Sequence, residues 1–120
     1  MSTKAFAAWD TTRVQRRTIH LDAVTMHHLT LAAQEAMVPL SEIARRAVKA
    51  GVELPELPPD TDGHRDHAIF ARLPIPLDTH MMSLARKHHV SAGEMCRRLI
   101  AAYVAPDVTM RAPAGGVAHE

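Results

Sequence analysis

Arg16-Arg17-Thr18-Ile19-His20-Leu21 alternates: Ile19 and Leu21 fall on one face, and Arg16, Thr18 and His20 on the other. Ala68-Ile69-Phe70-Ala71-Arg72-Leu73 does the same, with Ile69, Ala71 and Leu73 against Ala68, Phe70 and Arg72. A period of two over six residues predicts a half-buried β-strand. Leu21 and Leu73 lie 52 residues apart, and sliding the chain along itself by that amount aligns far more than the strands. His28 meets His80, Ala33 meets Ala85, Val38 meets Val90, Ala50 meets Ala102 and Val52 meets Val104, with no gap. Glu42-Ile-Ala-Arg-Arg46 meets Glu94-Met-Cys-Arg-Arg98. Two unrelated amphipathic helices would share the apolar period, but not that charged pentad in the same frame. The chain is read as an internal duplication.

Each copy predicts a strand followed by two helices. The first helix runs from about Ala23 to Ala36, with Met26, Leu29, Ala32 and Ala33 as its apolar stripe. Its counterpart runs from about Pro76 to His88, carrying Leu77, Met81, Leu84 and Ala85. Pro74 and Pro76 are tolerated only before or within a first turn, so they mark that helix's start. The second helices run from about Leu40 to Gly51 and from about Ala92 to Val104. Ser91 and Glu94 form a capping-box signature, whereas Pro39 stands at the matching place in the first copy and offers neither hydroxyl nor N–H. The copies are assigned to residues 14–52 and 67–105. Between them, residues 53–66 form an acidic, proline-rich linker expected to be semi-rigid and solvated. Residues 1–13 and 106–120 read as mobile arms.

Composition narrows the function classes. The 120 residues include one cysteine, Cys96, which excludes an internal disulfide. No apolar run approaches the roughly 18 residues of a membrane span, and the first ten residues lack a signal-peptide core. A protein of the reducing cytoplasm, without a membrane partner, is the expectation. The aliphatic composition, with only 3% aromatic residues, suits close helix packing. A strand-helix-helix unit of roughly 40 residues is at the lower limit for folding alone, and its single strand has no partner. The expected architecture is therefore mainly α. Two strands pair as an antiparallel ribbon, four helices wrap its inner face, and the copies complete one core.

The run Arg72-Leu73-Pro74, then Leu77, Met81, Leu84-Ala85, Val90-Ser91, Glu94, Met95 and Leu99, resembles the ribbon-helix-helix family of DNA-binding proteins. Thr18-Ile19-His20-Leu21 through Val38, Glu42 and Ile43 resembles it less closely. Members usually dimerise; a chain carrying both halves is similar to the conjugation accessory proteins of the TraY and Ti-plasmid overdrive-binding types. The resemblance implies an intramolecular pseudo-dimer whose ribbon enters the major groove of double-stranded DNA. Mapped here, the base readers are Arg16, Thr18, His20, Ala68, Phe70 and Arg72. The resemblance also implies phosphate binding at the second helices' N-termini, by Leu40 and Ser41 in one copy and Ser91, Ala92 and Gly93 in the other. Arg17, whose counterpart is Ile69, is assigned to a backbone phosphate at the ribbon edge. Because the strands differ, the two DNA half-sites are expected to differ. The biological role implied is a transfer-origin accessory or a transcriptional regulator, with other copies on adjacent DNA or a relaxase as further partners. The alternative is a protein-binding module, such as an antitoxin of the same fold, using the exposed Phe70.

Other features support less. Neighbouring residues on a helix point about 100° apart, so Arg45-Arg46 and Arg97-Arg98 read as solvated faces, with Glu42 and Glu94 pairing to Arg46 and Arg98. The nine histidines include the adjacent pairs His27-His28 and His88-His89, which make poor joint ligands. No metal, cofactor or enzymatic activity is expected, since no catalytic constellation is present. Cys96, on the apolar side of its helix, reads as an inert core residue. The formal charge of +1 hides a partition: residues 53–66 carry five acids and one base, which leaves +5 on the remainder. Neutrality overall is therefore no argument against a polyanionic partner.

Overall fold

The computed structural model describes residues 13–106. The predicted arms therefore lie outside the described residues, apart from Arg13 and Pro106. The elements are β1 (Val14–Leu21), α1 (Ala23–Ala36), α2 (Leu40–Gly51), β2 (His67–Pro74), α3 (Ile75–Lys87) and α4 (Ala92–Val104). The fold is mainly α with one two-stranded antiparallel sheet, and the strand-helix-helix order occurs twice. Both strands extend beyond their alternating hexapeptides, and α3 begins and ends one residue earlier than its prolines indicated.

The register sets Arg16 opposite Arg72, Thr18 opposite Phe70 and His20 opposite Ala68. Thr18 and Phe70, matching positions in the two copies, thus face one another across the ribbon. Ile19, Leu21, Ile69, Ala71 and Leu73 are buried on the inner face, while Arg16, Thr18, His20, Ala68, Phe70 and Arg72 are exposed on the other.

Packing crosses between the copies. Helix α2 packs on β2, α4 packs on β1, and α2 and α4 pack on each other. Helix α3 touches both strands. Helix α1 packs mainly on α2 and α4. The core joins Ile19, Leu21, Ile69, Ala71 and Leu73 to Leu29, Ile43, Val48, Met81, Met95, Leu99 and Ile100. Gly51 is needed where α2 meets α4, because a Cβ there would stand 2.6 Å from Leu99 Cδ2. Leu99 is itself fully packed and cannot yield cheaply.

Helix ends explain the boundaries. Asp22 caps α1, its carboxylate accepting from Thr25 N at 3.1 Å and from Thr25 Oγ1 at 2.8 Å. That contact buries Thr25, while Met26 and Ala32 of the expected stripe are only half-buried. Ser91 Oγ accepts from Glu94 N at 3.0 Å at the start of α4, and Pro39 gives α2 no side-chain cap. Each copy therefore caps one helix with an oxygen and opens the other behind a proline (Asp22 and Pro39; Pro74 and Ser91). Met37 and His89, again matching positions, both take the left-handed conformation at φ 59°. Val38 N then donates to Ala33 O at 3.1 Å, and Val90 N to Ala85 O at 3.0 Å. These are the six-to-one bonds that close a helix C-terminus. The non-glycine residues accept a conformational cost there.

The linker is not merely solvated. Arg97 of α4, only 8% exposed, donates to both oxygens of Asp60 at 2.9 and 2.8 Å. Arg98 donates to Pro58 O at 2.6 Å, and Leu54 and Leu57 pack against the core. This corrects the reading of Arg97 as part of a solvated face. Arg97 stands where the linker crosses α4.

Candidate nucleic-acid interface

The outer face of the ribbon presents Val14, Arg16, Thr18 and His20 from β1, and Ala68, Phe70, Arg72 and Pro74 from β2. No acidic residue stands on it. The two arginines lie directly across from each other in the register, an arrangement that like charges oppose in a sheet. Among the described residues, neither has an ion-pair partner. Arg16 instead lies over the Phe70 ring, its Cζ 4.6 Å from the centroid. This contact holds the guanidinium over a ring that remains 52% exposed. The six residues expected to read bases thus share one surface. The Arg16–Phe70 stack was missed in sequence. Its signal was available only as a diagonal across a register that no strand reveals by itself.

Arg17 departs from its expected role. On the inner side of β1 it makes a forked ion pair with Asp78 of α3, Nε to Oδ1 and Nη2 to Oδ2, both 2.8 Å. The Asp78 hydrogen bond raises the Arg17 pKa above its ordinary value. Its guanidinium is engaged by a carboxylate 61 residues away in sequence, in a part-buried pair on the inner side of the ribbon. Cys96 is free and buried, and burial pushes its thiol up to about 12.

The helix N-termini expected to bind phosphate are present. Leu40 and Ser41 open α2, while Ala92 and Gly93 follow the Ser91 cap of α4. Free N–H groups in a first turn favour an anion. Each first turn also carries an acid, Glu42 or Glu94. Glu42 binds Arg45 and Arg46, at 2.6 and 2.8 Å, and those hydrogen bonds hold its carboxyl down to about 2. Glu94 pairs with Arg98 at 2.8 Å. The i,i+4 pairs expected on both helices therefore form, and Arg45 joins the first of them.

Among the described residues, no group of three or more His, Cys, Asp or Glu side chains is placed to hold a metal ion. No helix there is long and apolar enough to cross a membrane. Comparison of the chain with protein-family models, with curated proteins and with solved structures gives no match.

Proposed function

We propose that the chain is a single-chain ribbon-helix-helix protein that binds double-stranded DNA in a sequence-specific way, with the β1–β2 ribbon in the major groove. The observation that carries this reading is the acid-free outer face, on which Arg16 and Arg72 oppose each other without a carboxylate. Opposed cations cost stability unless an anionic partner offsets them. Arginine is also the side chain best shaped to read guanine O6 and N7 through two parallel hydrogen bonds. Thr18 and His20 add donors and acceptors, and Phe70 and Ala68 offer apolar contact to a thymine methyl. The N-termini of α2 and α4 are the groups suited to flanking phosphates. Arg17 is left out of that set. A transfer-origin accessory and a transcriptional regulator both use this activity.

Selection from random duplexes followed by gel shift tests the proposal. A preferred duplex should bind well above bulk DNA, and Arg72→Ala should remove most of that preference. Equal affinity for every duplex, unmoved by Arg72→Ala, would refute it. The half-exposed Phe70 favours the second reading, a protein-binding module such as an antitoxin. Stoichiometric capture of one protein through Phe70, lost in Phe70→Ala, with no duplex preference, would establish that reading instead.

A further inference from the structure

We infer that the ribbon reads a polar, non-palindromic site, with a guanine-demanding end under Arg16 and Arg72 and a permissive end under His20 and Ala68. The inference rests on the DNA-binding reading above and names what that surface selects. In a shift of 52 residues, Arg16 corresponds to Ala68, and His20 to Arg72. If each copy read its own half of the site, the arginines would serve opposite roles in separate halves. The antiparallel register does otherwise: it brings Arg16 of the first copy and Arg72 of the second to the same end. His20 and Ala68 are left together at the other end, with Thr18 and Phe70 between. One end of the face thus carries two forked, permanently charged donors. The other carries one imidazole and one methyl group.

The spacing fits this division. Four residue steps along the strand lead from Arg16 to His20, about 13 Å at roughly 3.3 Å per residue, or about four base pairs at the 3.4 Å rise per strand. Arg16 and Arg72 are cross-strand neighbours, roughly 5 Å apart at the backbone, so they address the same or adjacent base pairs. Phe70 acts as a positioning residue. Its ring under Arg16 restricts the guanidinium and turns a mobile surface cation into a directed donor.

The test is selection from random duplexes with the full chain and with Arg16→Ala, Arg16→Lys, Arg72→Ala, Phe70→Ala and His20→Ala. Thermal melting checks that each variant is folded. The full chain should enrich one non-palindromic motif with guanines clustered at one end. Arg16→Ala and Arg72→Ala should each weaken that motif by roughly 5- to 150-fold and flatten the same end. Arg16→Lys keeps the charge but not the fork, so it should flatten that end while retaining affinity for bulk DNA. Phe70→Ala should relax the guanine preference that Arg16→Ala relaxes, and His20→Ala should touch only the far end. A palindromic motif, or arginine variants that flatten opposite ends, would overturn the inference while leaving DNA binding intact. If no motif is enriched, the DNA-binding proposal itself fails, and this inference with it.

Discussion

Arg17 and Asp78 occupy positions that are Ile69 and Met26 in the complementary half of the chain. One side of the inner ribbon face thus carries a forked ion pair where the other carries two apolar side chains. Removing one partner strands the other beside apolar core, so each single change should cost about 2 kcal/mol. Arg17→Ile with Asp78→Met copies the apolar solution already present, and should recover stability to within about 1 kcal/mol of the starting chain. Urea denaturation of the four proteins measures this. Additive losses in the double variant would show that the two residues do not act as a pair. The same scale explains why the sequence does not reveal the partner of Arg17. A cation in a strand gives no sign, in sequence, of a carboxylate 61 residues away.

At the scale of elements, the docking of the linker on α4 is the feature sequence misread. Proline and acid content do indicate a segment without helix or strand, and residues 53–66 form neither beyond the turn that ends α2. Composition does not say where such a segment lies. The Arg97 hydrogen bonds hold the Asp60 carboxyl down to about 2, below its ordinary 3.8. A carboxylate depressed in the folded state contributes stability above its unfolded pKa and loses it as pH falls through the folded one. The contribution of Asp60 should therefore be constant above about pH 5 and vanish between about pH 4 and 2. Asp60→Asn lacks it throughout. Urea midpoints of the two proteins should differ at neutral pH and converge on acidification over that window. A difference that persists at pH 2 would mean that Asp60 acts through its shape or position instead of its charge. The helix limits, by contrast, were legible almost to the residue. They depend on local chemistry: Ser91 as a cap, prolines at starts, and the apolar period between them.

For the whole molecule, packing across the copies decides what can fold. Helix α2 rests on β2 and α4 on β1, so each copy's strand is covered by a helix of the other copy. Residues 13–56 and 57–106, produced separately, should each give the circular dichroism of an unfolded chain. Mixed at equal concentration, they should regain helix content. Two copies of the first half would place Arg17 against Met26, and two of the second would set Asp78 against Ile69, so self-pairing is disfavoured. A stable fold from one half alone would refute this account.

The sequence by itself determined the repeat, the six elements and which side chains leave the ribbon's outer face. Each of these follows from period, size and local capping, which act over a few residues. Only the tertiary structure decided that Arg16 and Arg72 share one end, that Arg17 turns inward to Asp78, and that Arg97 holds the linker. Those outcomes depend on the register of two strands and on ion pairs between groups 37 to 61 residues apart. Coulomb and hydrogen-bond terms select such partners only once the core has brought them within about 3 Å.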